Sequence, residues 1–250
     1  MIKAIVFDFG GTLDTGGNHW GKVMWRAWQQ HGIDVAEDQF REAYVFAERT
    51  LDRNPIVLPT YTFKKLFDLK IRLQLEYVFA HGWWKADKQV YSQVVLAMLT
   101  DLYEAVSRRL YDNKPVLQRL KENYRLALVT NFYGNMSTVL QEFHYDHLFE
   151  HVIESAVVGL RKPDTNMLQM ALHTLEVRPD ELVVVGDSLR NDIEPARYIG
   201  CHTVWLKGEG WTPLCDEEIV PDQTISHLTE ICIEDTKKPR VFRNNLGHSF

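Results

Sequence analysis

The sequence has little of several features that define whole classes of protein. Its 250 residues contain only three cysteines, Cys201, Cys215 and Cys232, with no CxxC pair, which argues against a disulfide framework and favours a reducing compartment. The net charge of -6 argues against the basic face that nucleic acid requires. No apolar run is long enough to span a membrane, and the first residues do not resemble a signal peptide. We therefore expect a cytoplasmic protein whose partners include neither nucleic acid nor a membrane.

Short apolar segments rich in β-branched residues alternate with helical patterns over most of the chain. This alternation predicts parallel βαβ units and therefore an α/β fold with a doubly wound parallel sheet. Strands are predicted at residues 2–7, 125–130, 182–185 and 202–206, with a weaker one at 151–156. Helices are predicted at 114–123, 136–143, 166–175 and 192–199.

One segment breaks the alternation, because residues 18–110 contain no pattern typical of a core strand. The segment instead predicts helices at 20–30, 37–52, 63–80 and 87–109. The simplest organisation is an α/β core made of residues 1–17 and 111–233, with residues 18–110 inserted after the first strand as a helical cap. Residues 234–250 lack periodicity and are expected to form a loose C-terminal tail.

Polar side chains collect where the predicted strands end and the next helices begin. In open parallel sheets, ligands bind beyond the carboxyl ends of the strands, so we expect these side chains to meet in one site. The clusters are Asp8 with Gly10 and Gly11, Thr130 with Asn131, Lys162 before Pro163, and Asp187 with Asp192.

Together these clusters provide what phosphoryl transfer needs, since that reaction depends mainly on positioning and on stabilisation of charge. Asp8 is the candidate nucleophile, and with Asp187 it offers the oxygen ligands that Mg²⁺ prefers. The Thr130 hydroxyl and the backbone N–H groups around Gly11 are candidate ligands of the phosphate oxygens. Lys162 would bring a compact positive charge to the same oxygens and to Asp8.

These motifs, in this order, make the chain resemble the haloacid dehalogenase superfamily. They read Asp8-Phe9-Gly10-Gly11-Thr12, Thr130-Asn131, Lys162-Pro163 and Gly186-Asp187-Ser188-Leu189-Arg190-Asn191-Asp192. The resemblance covers the chain to about residue 233 and implies a Rossmann-like core with a helical cap after the first strand.

The resemblance also implies a role for each matching residue. Asp8 would form an aspartyl-phosphate, and Thr130 and Lys162 would bind the phosphoryl group. Further candidates for substrate binding are Gly11 and Asn131. The implied cofactor is Mg²⁺, and the implied metal site consists of Asp8, the backbone carbonyl of Gly10, Asp187 and Asp192.

Gly10 departs from the family's pattern, because phosphatases of the family usually carry a second aspartate there as general acid and then general base. Loss of such a group typically costs about 10²–10⁴-fold in rate. Either the substrate has a leaving group that needs little protonation, such as an acyl or anomeric sugar phosphate, or Asp14 or a cap residue delivers the proton. A third expectation is that the aspartyl-phosphate accumulates.

Several functions stay open. A Mg²⁺-dependent phosphatase of a small phosphorylated metabolite is best supported. Dehalogenation of a small 2-halo acid is the alternative, because the family's dehalogenases also lack the second aspartate, although they do not use the metal site indicated by Asp187 and Asp192. A non-catalytic phosphate-binding or partner-binding protein is the remaining class. Cleavage of a carbon–phosphorus bond would need a cap lysine in a matching context, which is missing around Lys64, Lys65 and Lys70.

Three histidines show no ligand spacing and are interpreted as surface or packing residues: His19, His31 and His81.

Overall fold

The computed structural model describes residues 1–211 and 219–233 of the chain. Six strands are present: β1 (Ala4–Phe7), β2 (Arg125–Thr130), β3 (His151–Glu154), β4 (Leu182–Gly186), β5 (His202–Leu206) and β6 (Gln223–Ile225). They form one parallel sheet in the order β3-β2-β1-β4-β5-β6, which confirms the predicted sheet and adds β6 to it. The predicted tail, residues 234–250, lies outside the described residues.

The central strands are apolar along their whole length. Every residue of β1 and of β4 is buried, as expected of parallel strands that are covered by helices on both faces. Phe7, the last residue of β1, lies beside Leu128 of β2 and Val185 of β4. These strands therefore end close together, and the residues that follow them share one edge of the sheet.

Helices cover both faces of the sheet, which confirms the doubly wound α/β fold. Their bounds are α1 (Trp20–Gln30), α2 (Glu37–Arg53), α3 (Phe63–Ala80), α4 (Lys88–Lys121), α5 (Met136–Glu142), α6 (Ser155–Val158), α7 (Asn166–Thr174) and α8 (Glu194–Tyr198). Ala4 and Val6 of β1 pack in an apolar cluster with α7 and α8. Ile5 and Phe7 belong to a second cluster, which continues through α4 and α5 into α1, α2 and α3.

Helix α4 differs from its prediction. The sequence predicts two helices, 87–109 and 114–123, with a gap at 110–113, but α4 runs without interruption from Lys88 to Lys121 and contains Pro115. Pro115 cannot donate a backbone hydrogen bond, so the helix lacks one bond at that position. The helix continues because buried residues, including Leu110, Val116 and Leu117, keep the same stripe facing the core across the proline.

Two polar contacts also fix the middle of α4. Asn113, which is buried, donates from Nδ2 to the Leu13 carbonyl at 2.9 Å, and the Tyr145 hydroxyl donates to the Leu110 carbonyl at 2.5 Å. The predicted boundary between residues 110 and 111 therefore lies inside a continuous helix. The division of the chain into core and cap stays a prediction.

We refer to residues 20–110, which contain α1, α2, α3 and most of α4, as the helical insert. All four predicted helices are present in it, with the ends that fall in the insert shifted by at most one residue. Its interior is aromatic: the ring centroids of Trp20 and Phe67 lie 4.4 Å apart, and those of Phe63 and Phe67 lie 4.2 Å apart. None of the helices in the described part of the chain is long and apolar enough to cross a membrane.

Candidate active site

The ends of β1, β2 and β4 place three of the predicted site residues together. Asp8 directly follows β1, and its N–H donates to the Val185 carbonyl at 3.0 Å, which extends the pairing with β4 by one residue. Thr130 is the last residue of β2, and Asp187 directly follows β4. The strand register therefore positions these side chains at the same edge of the sheet.

Lys162 lies in the loop before α7 and reaches this edge with its ammonium group. Its Nζ lies 2.7 Å from Asp8 Oδ1 and 2.7 Å from Asp192 Oδ1, and it donates to the Val129 carbonyl at 3.0 Å. Burial lowers the pKa of Lys162, but the Asp192 and Asp8 carboxylates more than offset this and raise it above its ordinary value. A permanent positive charge therefore lies beside the candidate nucleophile.

Asn131, a predicted substrate-binding residue, holds the Lys162 loop through its side chain. Its Nδ2 donates to the Lys162 carbonyl at 3.0 Å, and its Oδ1 accepts from the Lys162 N–H at 2.9 Å. Both polar atoms of the side chain are thus used to position Lys162.

Asp8, Asp187 and Asp192 form an acidic cluster in which one oxygen from each lies within 4.8 Å of the others. Burial, and then the neighbouring carboxylates, raises the pKa of Asp187 well above its ordinary value. Burial also raises the pKa of Asp192, to about 6, against the lowering effect of Lys162. Three carboxylates beside one ammonium leave excess negative charge in a buried place, and a divalent cation with oxygen ligands fits such a cluster.

The turn after β1 supports the acidic cluster. Thr12 Oγ1 donates to Asp187 Oδ1 at 2.8 Å and accepts from the Asp187 N–H at 3.0 Å. Gly11 passes so close that a Cβ atom there would lie 2.6 Å from the Asp187 carboxylate oxygens, and its φ of +96° favours glycine. A larger residue at position 11 would collide with the carboxylate of Asp187, which is a candidate metal ligand. The turn therefore requires glycine at this position.

Thr130 carries an unsatisfied hydroxyl. Its Oγ1 is buried and has no hydrogen-bond partner among the described residues. Leaving a buried polar group without a partner costs about 1–3 kcal/mol, so an orphaned hydroxyl at a site is a reason to look for a ligand. A phosphate oxygen is the acceptor that the predicted role of Thr130 supplies.

Asp14 contributes to the site by holding the turn rather than by facing substrate. Its Oδ1 accepts from the Gly11 N–H at 2.7 Å, and its Oδ2 accepts from Trp20 Nε1 at 2.8 Å. The Gly11 N–H, a candidate phosphate ligand, is therefore already used. Burial raises the pKa of Asp14 to about 7, although the bonds from Gly11 and Trp20 oppose this.

Gly10 borders a small pocket, which we call the Gly10 pocket, between the helical insert and the loops at the sheet edge. Its volume is about 130 Å³. Aromatic side chains form much of its wall: Trp20, Tyr44, Phe67 and Phe132. The polar side chains on the wall are His19, Glu48, Lys70, Asn131, Tyr133 and Arg161.

His19, predicted as a surface or packing residue, is thus a pocket residue. Its Nδ1 accepts from the Gly21 N–H at 3.0 Å, and burial lowers its pKa to about 4, so the ring is neutral near pH 7.

One feature of the sequence indicated this pocket but was not recognised from the motifs. Lys70 is buried within the apolar stripe of α3, next to Phe67 and Ile71. A buried lysine inside such a stripe destabilises the fold unless its charge is paired, and charged side chains are seldom fully buried without a partner. Its position in the helical period, rather than any motif, was therefore the available clue.

A doubly wound parallel sheet with a carboxylate, an ammonium group and an acidic pair at one edge defines a Rossmann-like protein with a candidate ligand site beyond its strand ends. This chain belongs to the haloacid dehalogenase-like hydrolases, since that family matches residues 2–200. The resemblance drawn from the motifs is thereby confirmed, and the protein is a hydrolase.

Two relatives carry the same name. A glyceraldehyde 3-phosphate phosphatase from Pyrococcus abyssi is 32% identical over 219 residues, which are 83% of this chain and 82% of that protein. One from Pyrococcus furiosus is 35% identical over 97 residues, which are 38% of this chain and 40% of that protein. The second match therefore spans less than half of the relative's length.

A solved structure has the same fold. The structure of a HAD phosphatase from Thermococcus onnurineus matches with a TM-score of 0.53 at 22% identity, covering 92% of this chain and 95% of that one. At this identity the likeness concerns the fold.

Proposed function

We propose that this protein is a Mg²⁺-dependent phosphatase that acts on a small phosphorylated metabolite through an aspartyl-phosphate on Asp8. The observation that carries the proposal is the grouping of Asp8, the orphaned Thr130 hydroxyl and the Lys162 ammonium at one edge of the sheet. A nucleophile, a neutral donor and a cation are what a phosphoryl group requires. The activity for which the Pyrococcus relatives are named, hydrolysis of glyceraldehyde 3-phosphate, supports the same reaction class.

Two steps describe the reaction. In the first, the Asp8 carboxylate attacks phosphorus, the bond from phosphorus to the leaving oxygen breaks, and that oxygen takes a proton. In the second, water attacks phosphorus, so that phosphate is released and Asp8 is regenerated. Thr130 donates to a phosphoryl oxygen, while Lys162 stabilises negative charge on the phosphoryl group and orients Asp8.

The acidic cluster fits Mg²⁺ by its chemistry, because its side chains offer oxygen ligands in a buried site with excess negative charge. Asp8, Asp187 and the Gly10 carbonyl would hold the ion, with Asp192 in support. Bound Mg²⁺ would supply the positive charge that screens the Asp8 carboxylate from the phosphate.

Dehalogenation of a small 2-halo acid is the second candidate, and the observation that favours it is the absence of an acid side chain at Gly10. Dehalogenases of the family likewise lack that acid. The cluster of Asp187 and Asp192 with Asp8 weighs against this reading, because halide displacement by Asp8 has no use for a magnesium site.

The test is release of inorganic phosphate from a panel of small phosphorylated metabolites and acyl phosphates, with Mg²⁺ or with a chelator. We expect Mg²⁺-dependent turnover that Asp8→Asn abolishes and that Asp34→Asn, at an exposed position, leaves unchanged. Intact mass spectrometry during turnover should detect one phosphoryl group on the wild type and none on Asp8→Asn.

Other outcomes identify the other functions. Halide release from 2-halo acids, with no phosphate release from any ester, would establish the dehalogenase. Binding of phosphate without release of either product would indicate a non-catalytic protein.

A further inference from the structure

We propose that the Gly10 pocket is the subsite for a small leaving group, and that Lys70 protonates the leaving oxygen in place of the missing acid at position 10. The proposal rests on the phosphatase function proposed above. It assigns to the helical insert a catalytic residue outside the four sequence motifs.

The position of Lys70 is the first observation. Lys70 and Gly10 both border the Gly10 pocket, so the ammonium group shares one cavity with the position where related phosphatases carry their acid. The cavity, about 130 Å³, is well below the ~300–1,000 Å³ typical of pockets for drug-sized ligands. It therefore suits a leaving group of a few non-hydrogen atoms.

The hydrogen bonds of Lys70 are the second observation. Its Nζ lies 2.8 Å from Glu48 Oε1 and donates to the Tyr133 hydroxyl at 2.9 Å. Tyr133 in turn donates to Glu48 Oε2 at 2.5 Å, which closes a three-membered network. An ammonium group has three N–H bonds, and the polar partners that the described residues give Lys70 are two, Glu48 in the ion pair and Tyr133 in the hydrogen bond. The network thus orients Lys70 while leaving one donor for a ligand.

The energetic cost of the network is the third observation. Lys70 is 3% exposed, and burying an ion pair often stabilises a protein less than apolar residues of similar volume would. Burial lowers the pKa of Lys70, but Glu48 and Tyr44 more than offset this and raise it, so the lysine is protonated near neutral pH. The chain therefore keeps a charged proton donor where an apolar side chain would pack at lower cost.

The chemistry balances over the two steps. As the bond from phosphorus to the leaving oxygen breaks, a proton moves from the Lys70 ammonium to that oxygen, giving an alcohol and a neutral amine. Since an alkoxide is more basic than an amine, this transfer is favourable. In the second step the neutral Lys70 accepts a proton from the attacking water, which restores the ammonium as phosphate leaves. One group thus acts as acid and then as base.

The dependence on the leaving group tests this role. We would measure phosphate release by Lys70→Met on small alkyl and acyl phosphates, whose leaving groups differ in basicity but are similar in size. Alkyl phosphates should lose about 10²–10⁴-fold in kcat/KM, whereas acyl phosphates, whose carboxylate leaving group needs little protonation, should lose only a few fold. Lys65→Met, at an exposed position of the same helix, should behave as the wild type for both classes.

Two further variants keep the test decisive if Lys70→Met folds poorly. Tyr133→Phe keeps the ring but removes the hydroxyl that accepts a hydrogen bond from Lys70. We expect a smaller loss of kcat/KM than in Lys70→Met, again larger for alkyl phosphates than for acyl phosphates. Gly10→Asp added to Lys70→Met should restore much of the alkyl phosphate activity, because it returns an acid to the same cavity.

Three results would overturn the assignment. An equal loss on alkyl and acyl phosphates would make Lys70 a structural residue. A loss confined to substrates that carry a carboxylate, whatever their leaving-group basicity, would make it a binding residue. If the wild type releases no phosphate from any ester, the proposed function itself fails, and the role of Lys70 fails with it.

Discussion

Among single residues, the one that shapes the chemistry of this site most is Gly10, which has no side chain. Its backbone angles, φ -76° and ψ 113°, are open to any amino acid, and a Cβ atom there would have nothing within 4 Å. Position 11 is the opposite case, because the Asp187 carboxylate occupies the space beside it. Only one of the two glycines is therefore required by the structure.

Gly10→Asp should fold normally and, with Mg²⁺ present, should accelerate hydrolysis of small alkyl phosphates more than that of acyl phosphates. The reason is that an added acid helps most where the leaving oxygen is most basic. Steady-state rates on both classes measure the effect, and the melting temperature should stay within about 3 °C of the wild type. Gly10→Asn, of the same size but without the acid, is the control and should give no acceleration.

Asp14 makes a pH-dependent contribution to stability. Burial raises its pKa to about 7 from an ordinary value of 3.8, so between these values the folded protein binds a proton that the unfolded chain has lost. The free energy of unfolding of the wild type therefore falls as pH rises through this window, as far as Asp14 is concerned, and levels off above about pH 7.

Asp14→Asn removes this titration. Urea unfolding at about pH 5 and about pH 8 should show the variant gaining stability relative to the wild type as pH rises, since the other titrating groups are shared. The substitution also replaces the carboxylate that accepts a hydrogen bond from Trp20 Nε1. This lowers the free energy of unfolding by the same amount at both pH values and does not alter the trend. A difference that does not change with pH would show that Asp14 does not titrate in this range.

At the scale of elements, the turn between β1 and α1 joins the strand to the acidic cluster. Gly11→Ala should place a methyl group against the Asp187 carboxylate and force a side chain into the φ > 0 region, at a backbone cost of about 1–2 kcal/mol. Titration with Mg²⁺, followed by the melting temperature, should show weakened binding. Gly10→Ala is the matched control one residue away and should bind as the wild type. Equal effects of the two variants would contradict the geometry of the turn.

Elements also show how far the sequence could be read. The first five strands and the helices of the insert were predictable because burial produces apolar runs and helical periods that a single sequence displays. Strand β6 is three residues long and only partly buried, so it produces no such pattern. The continuity of α4 was missed because the two predicted helices leave a gap at 110–113, whereas the buried stripe of the helix continues through that gap and past Pro115.

The site shows the same division between local and distant information. The motifs predicted Asp8, Thr130, Lys162, Asp187 and Asp192 as site residues, and for Asp8, Thr130 and Asp187 the reason is that the ends of adjacent parallel strands share an edge. The double role of the Asn131 side chain and the network of Lys70, Glu48 and Tyr133 depend on contacts between segments far apart in the chain. No local pattern encodes such contacts.

For the whole molecule, the acidic cluster that would bind Mg²⁺ also lowers the stability of the metal-free protein. The carboxylates of Asp8, Asp187 and Asp192, of which the first and last are buried, repel one another, and burial together with this repulsion disfavours the charged form of Asp187. Asp187→Asn should therefore melt at a higher temperature than the wild type when no divalent cation is present. Differential scanning calorimetry with a chelator measures this, and a lower melting temperature would contradict it.

Binding of Mg²⁺ should reverse that order. At about a hundred times the Kd, a ligand specific for the folded state raises the free energy of unfolding by about 2.7 kcal/mol. The wild type and the exposed variant Asp34→Asn should show this increase, and Asp187→Asn should show little of it. A similar increase in all three proteins would place the cation elsewhere on the molecule.

The free space beside Gly10 has a consequence for the history of such a gene. Two of the four glycine codons are a single base from an aspartate codon, and the backbone at position 10 already suits both residues. A lineage could therefore gain or lose the second aspartate in one mutation, without repacking the protein around it. Which residue a descendant carries would then be decided by the substrates that its cell supplies, and not by the demands of folding.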